Sequence, residues 1–173
     1  MCGNTKQRIA AALRQLMNEK PFDKITVRNL MDATNMKRQS FYYHFRDTRD
    51  VLMWICRQNF IEPMRVLELP AVDWVAAGMR MLAADRSFYR KAMGAVHEEF
   101  LEALNREVAI PRIRAALYPG AEALDDNRAF LAEFIAQALT GRMIQFVISR
   151  RPLDEAQVRE RMEYLLSELT DGK

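Results

Sequence analysis

The stretch from Ile25 to Phe45, ITVRNLMDATNMKRQSFYYHF, restricts this chain more than any other. Its residue order spells a helix, a tight turn and a second helix. Thr26 is placed as the N-cap of the first helix, where its hydroxyl can accept from a first-turn amide. Ile25 and Leu30 bracket that cap as a hydrophobic staple. Val27, Leu30 and Met31 then fall on one face. The first helix must stop near Ala33-Thr34-Asn35, and Asn35 suits a left-handed turn better than most residues.

The second helix opens at Lys37-Arg38-Gln39-Ser40 and continues through Phe41, Tyr42, Tyr43, His44 and Phe45. Phe41 and Phe45 are four apart and can anchor its inner face. Lys37, Arg38, Gln39, Tyr42, Tyr43 and His44 are left for the outer face and the N-terminal end. So many cationic and hydrogen-bonding side chains on one short helix fit a recognition helix, whose first residues reach base edges in the major groove of DNA.

Charge supports the same reading. The net charge is only +3. Between Met1 and Arg49, however, ten Lys or Arg face four acidic residues, which leaves +6 there and −3 on the remainder. A basic end on a mildly acidic body is an electrostatic footprint of nucleic-acid binding.

Residues 4–52 resemble the DNA-binding domain of the TetR family of bacterial transcriptional regulators. The resemblance rests on Ile9 and Ala10 in a first helix, on Phe22-Asp23-Lys24-Ile25-Thr26-Val27 leading into a second, and on Ser40-Phe41-Tyr42-Tyr43-His44-Phe45 in a third. Arg46-Asp47-Thr48-Arg49-Asp50 opens a fourth. Phe41 to Phe45 together with Trp54-Ile55 resembles the branch around the dihydroxyacetone-kinase operon regulator. The chain departs from the family pattern in three places. Asn35 stands for the usual turn glycine, Lys37 for a frequent Ser or Thr cap, and Thr48 for a common phosphate-binding Lys.

The expected fold is all-α, with about nine helices in 173 residues. An N-terminal three-helix helix-turn-helix domain spans 1–47, and a helical ligand-binding and dimerisation domain spans 48–173. Gly and Pro number six each, and no β-alternation interrupts the helical periodicity. Helix one is expected over Thr5–Asn18, with Ile9, Leu13, Leu16 and Met17 as its buried stripe and Lys6, Arg8 and Arg14 available to flanking phosphates. Phe22 is placed as the plug beneath the three-helix unit. Asp47 caps helix four, and Pro63 should end or kink that helix near Glu62. Pro70 starts a fifth helix, Ser87 caps a short sixth ending at Gly94, and a seventh kinks at Pro111. The eighth helix, about Asp126 to Arg150, is apolar nearly all round, and Asp154 caps a ninth.

Two long apolar helices at the C-terminus, joined by a short loop, can form a four-helix bundle across a two-fold axis. The family dimerises in this way. The interface is assigned to Phe130, Phe134, Met143, Phe146, Val158, Met162, Leu165 and Leu169. The resemblance also implies an effector site within the body, for which Trp74, Met79, Tyr89, Phe100 and Phe134 are the candidate lining residues.

No catalytic constellation appears. His97-Glu98-Glu99 points around a helix instead of converging, and Cys2 and Cys56 have neither metal nor redox spacing. No metal, cofactor or enzymatic activity is expected. Nor is a signal peptide or membrane span, and the protein is expected in the cytoplasm. The function expected is a homodimeric, sequence-specific DNA-binding regulator, a repressor released by a small-molecule effector. Arg38 and Gln39 are the base readers. Arg suits guanine O6/N7 and Gln suits adenine N6/N7. Thr26, Lys37, Ser40, Tyr42 and His44 position phosphates, with Tyr43 open to either role. The alternative is an adaptor or co-regulator whose body binds a partner protein that gates DNA binding. The branch suggests it, since a regulator there can act as an activator with a co-regulator.

Overall fold

The structure, a computed structural model, describes residues 2–170, without the side chains of 2–4 and 170. The Cys2 thiol therefore lies outside the described residues. Among the described residues the fold is all-α. The segments are α1 (Cys2–Glu19), a 3-10 turn (Phe22–Lys24), α2 (Val27–Thr34), α3 (Arg38–Tyr42), α4 (Thr48–Cys56), α5 (Glu62–Val66), α6 (Ala71–Ala84), α7 (Arg86–Leu104), α8 (Ile110–Leu117), α9 (Asp126–Ile148) and α10 (Glu155–Thr170).

Two prolines distort their helices in the same way, at the places where a break or kink is expected. Helix α4 does not stop near Glu62. It passes through a π turn, Arg57–Ile61, and continues as α5 to Val66. Helix α7 likewise passes through a π turn, Asn105–Ala109, into α8. Each π turn contains the residue four before a proline, Asn59 for Pro63 and Glu107 for Pro111. A proline ring collides with that carbonyl and brings no N–H to it. Widening one turn relieves the collision and leaves the helix unbroken. The ten α segments thus make eight continuous helices, and the chain leaves helix after Val66, at 67–70.

The caps are where local chemistry puts them. Asp47, Asp125 and Asp154 accept from the amides of Asp50, Arg128 and Gln157 at 2.8, 2.9 and 3.0 Å. The helices expected as sixth and seventh are one, α7, and the division survives as a kink at Val96 (φ −129°, ψ 30°).

The described chain forms two compact units. Unit one is Met1–Asn59 with Ser87–Phe100. Ile9, Leu13, Leu30, Phe41, Val51 and Leu52 are fully buried in it. The Lys91 ammonium donates to the Met17 carbonyl at 2.9 Å, so a stretch of α7 closes the C-terminal end of α1. Arg14 stacks on Phe88, 4.1 Å from guanidinium carbon to ring centroid, and this fixes it inside the unit instead of on a phosphate. Phe22 is only half-buried and lines an open cleft of about 770 Å³ with Met17, Lys20, Arg49 and Gly94.

Unit two is Phe60–Arg86 with Leu101–Lys173. Helix α9 packs on α8 and α6, and α10 packs on α6. Gly78 lies so close to the Met143 and Met64 methyl groups that a Cβ would stand 2.5 and 2.9 Å from them. Trp74 is buried, and its indole N–H donates to the Met64 carbonyl at 3.0 Å. Arg86 gathers the C-terminal carbonyls of α9, donating to Phe146, Val147 and Ser149, with its guanidinium 4.2 Å from the Phe146 ring. Arg159 joins Asp73 and Glu155, and Arg80 joins Glu155, which ties α10 to α6.

By length and composition alone Asp126–Ile148 could cross a membrane. Ala132, Ile135, Ala136, Met143, Ile144 and Val147 are instead buried against the rest of unit two, as in the core helix of a globular body.

Candidate nucleic-acid interface

The interface is built on α2, a turn and α3. Thr26 accepts from the Asn29 amide at 3.2 Å, and the Asn29 side-chain oxygen accepts from the Thr26 amide at 3.0 Å. Asparagine thus completes a reciprocal capping box in the place where glutamate or glutamine is usual. Helix α2 ends as the sequence requires. Asn35 is its C-cap at φ 51°, ψ 44°, the one non-glycine residue at positive φ among those described. Arg8 reaches across from α1 to donate to the Thr34 carbonyl at 2.9 Å.

Helix α3 is short, and its inner face is aromatic. Phe41 and Phe45 are buried with ring centroids 6.0 Å apart. Trp54 of α4 meets Phe45 edge-on at 6.0 Å, and the Lys6 ammonium sits 5.5 Å from the same ring. Helices α4 and α1 therefore both hold the buried aromatic that follows α3. Trp54 thus packs within unit one.

The opposite face carries the polar set. Thr26, Lys37, Arg38, Gln39, Tyr42 and Tyr43 are exposed, and Ser40 and His44 are half-buried. Tyr43 is 78% exposed, more than any other large hydrophobic side chain described, and packs its ring edge on His44 at 4.9 Å. Lys37 is the exposed N-cap of α3 and makes no side-chain cap bond. Arg38 donates to the Tyr42 hydroxyl at 3.1 Å, with its guanidinium 5.5 Å from that ring. Of the eight residues assigned to DNA, Arg38, Gln39, Ser40 and Tyr42 lie on α3, Lys37 and Tyr43 cap it, His44 follows it in the turn, and Thr26 caps α2.

Other assigned residues are dispersed. Trp74 and Met79 are buried in unit two, Tyr89 and Phe100 are buried in unit one, and Phe134 is 61% exposed. The five effector candidates are not brought together within either unit. Tight core packing explains the first four, and Trp74 has its N–H satisfied there. A cleft of about 450 Å³ in unit two is lined by other residues, among them Arg106, Pro111, Arg114 and Tyr118. Of the interface candidates, Phe130 and Phe134 are exposed and stacked at 6.1 Å, whereas Met143 and Met162 turn inward and are buried. Phe146, Val158, Leu165 and Leu169 are half-buried. Among the described residues no three His, Cys, Asp or Glu side chains converge. Glu99 instead pairs with Arg49, whose hydrogen bond holds its carboxyl below the usual range.

Comparison with known proteins places this geometry. Residues 9–53 match the family model described as bacterial regulatory proteins, tetR family. The HTH-type dhaKLM operon transcriptional activator DhaS of Lactococcus lactis subsp. lactis (strain IL1403) is 33% identical over 58 residues, which cover 34% of this chain and 31% of that protein. A solved structure, the dihydroxyacetone kinase operon activator DhaS, aligns over 96% of both chains with a TM-score of 0.64 at 19% identity, a likeness of fold that reaches beyond the helix-turn-helix. Residues 9–53, which hold α2, the turn at Asn35 and α3, thus match the TetR family of bacterial regulatory proteins.

Proposed function

We propose that this protein is a homodimeric, sequence-specific DNA-binding transcriptional regulator acting in the cytoplasm, with DNA read by 1–47 and the dimer formed by 48–173. The observation that carries the reading is the exposure of Lys37, Arg38, Gln39, Tyr42 and Tyr43 on a helix whose inner aromatics are locked into the unit. Arg38 and Gln39 read bases, and Thr26, Lys37, Ser40, Tyr42 and His44 hold phosphates.

The dimer is supported by α9. Phe130 and Phe134 stand stacked in solvent, with Leu131 and Ile148 also exposed on that helix. So many large apolar groups on one surface helix call for a cover. Met143 and Met162 drop out of the interface because their own unit buries them.

The sign of regulation follows a different line from the expected repression. Both relatives are named as activators. A recognition helix by itself imposes neither sign, because the sign depends on where the operator lies relative to the promoter. An effector would change DNA affinity only by its differential affinity for the two states. The side chains named for such a site do not meet within a unit, so the proposal rests on DNA recognition. An exposed apolar patch on the helices between residues 71 and 117 would favour the adaptor reading, and the exposed large hydrophobics described lie elsewhere.

Selection of bound sequences from a random duplex library, with the full chain at fixed salt, tests the proposal. The expected product is a pseudo-palindrome whose half-site centres lie about one helical turn, ~34–36 Å, apart. Binding that depends on salt but selects no sequence would sink it.

A further inference from the structure

We infer that Tyr42 is a positioning residue for Arg38, and that its hydroxyl couples a phosphate contact to a base contact. The inference rests on the DNA-binding reading above and assigns Tyr42 a part in specificity as well as in affinity.

Arg38 and Tyr42 are four apart and so lie one above the other on the same face of α3. A helical side chain leans toward the N-terminus, which brings the Tyr42 ring back over Arg38. The observed geometry follows: Arg38 Nη2 donates to the Tyr42 hydroxyl oxygen at 3.1 Å, and the guanidinium carbon lies 5.5 Å from the ring centroid. Both side chains are exposed, and the Tyr42 ring is held edge-on against buried Phe41 at 5.4 Å, which fixes the hydroxyl that Arg38 meets.

The hydrogen-bond inventory allows a double role. A guanidinium has five N–H groups, and one is given to Tyr42. The remaining N–H groups still contain a two-bond fork for guanine O6 and N7. The phenol oxygen accepts from Arg38, and its own hydrogen remains to donate to a phosphate oxygen. A free arginine must lose its rotamer freedom when it docks on a base, whereas a tethered one has lost part of it beforehand. When the groove excludes water the tether strengthens, because the effective dielectric falls. A Tyr42 hydroxyl held by a phosphate would therefore set the guanidinium at a fixed height above the base pair. Sequence preference at that base pair would belong to the pair of residues.

The test is a double-mutant cycle on the full chain, with affinities measured for the selected operator and for operators changed at one base pair. Arg38→Ala identifies the base pair it reads by a loss of discrimination of about ten-fold there. Tyr42→Phe keeps the ring and removes the hydroxyl. It should lower overall affinity and also relax preference at that same base pair, with no further loss there in the double variant. Ser40→Ala is the phosphate-only comparison and should weaken all operators evenly. Unchanged melting of Tyr42→Phe establishes that the fold is intact. Even weakening by Tyr42→Phe with the base preference kept, or additive losses in the cycle, would overturn the inference and leave the regulator reading standing. A wild-type chain with no sequence preference would instead overturn the regulator reading, and this inference with it.

Discussion

The Arg8 guanidinium donates to the Thr34 backbone carbonyl at 2.9 Å across 26 residues of sequence. It is a cation on the last turn of α2, where orphan carbonyls and the negative end of the helix dipole lie together. The same bond steadies the turn that aims α3. On the proposed function, Arg8 would support DNA binding from behind the interface, where the sequence suggested a flanking phosphate contact.

Arg8→Ala is expected to lower the stability of the chain by about 1–2 kcal/mol, the range for a part-buried charged hydrogen bond at a helix end. DNA affinity should fall evenly on all sequences. Thermal melting checks the first part and titration of two unrelated operators checks the second. An unchanged melting temperature would show that the contact carries no stability.

Asn35 occupies φ 51°, where a side chain with Cβ is strained and glycine is not. Asn35→Ala should cost up to about 1 kcal/mol, since alanine keeps the Cβ and loses the polar side chain that lets asparagine adopt this conformation. Asn35→Gly should be neutral or slightly stabilising, since glycine relieves the strain and costs unfolded-state entropy. Chemical denaturation of the two variants side by side decides this. Equal stability of both would mean that the turn does not hold its left-handed geometry in solution.

The stacked, exposed pair Phe130 and Phe134 leads to a prediction about assembly. Phe134→Glu should convert a dimer into a monomer with unchanged helical content, because the side chain supports no interior packing. Sedimentation velocity with circular dichroism reads both properties. A wild-type monomer, or a dimer indifferent to the substitution, contradicts the proposed interface.

Burial pushes the Cys56 thiol up to about 12, with the Arg14 charge drawing it back in part. The native thiol stays neutral where an unfolded one, near pH ~8.5, ionises. Its contribution to stability is present below that pH and is lost as pH climbs from there toward about 12. In a Cys2→Ser background, labelling by a thiol reagent at pH 8 should proceed only as fast as the protein opens. Fast labelling without denaturant would place Cys56 at the surface.

Much of the recognition unit was legible in the sequence because its determinants are local. Thr26 and Asn29, and Asp47 and Asp50, are each three apart, and each pair forms its cap within one turn. The pairing of Phe41 with Phe45 and the turn at Asn35 are equally short in range. The proline effects were only half legible. Pro63 and Pro111 mark a collision with a carbonyl four residues back, but whether a helix breaks or widens depends on what packs on either side of it.

The sequence by itself determined where helices begin, where the chain turns, and which residues stand on the outer face of α3. Each of these is settled by hydrogen bonds and sterics within about four residues. Tertiary structure alone decided that Arg8 serves Thr34, that Arg14 lies on Phe88, and that Ser87–Phe100 joins the N-terminal unit. It also chose which side of the nearly all-apolar α9 is covered, burying Met143 and leaving Phe130 and Phe134 in solvent. A helix that is apolar all round carries no preferred face in its sequence, so only its neighbours can select one.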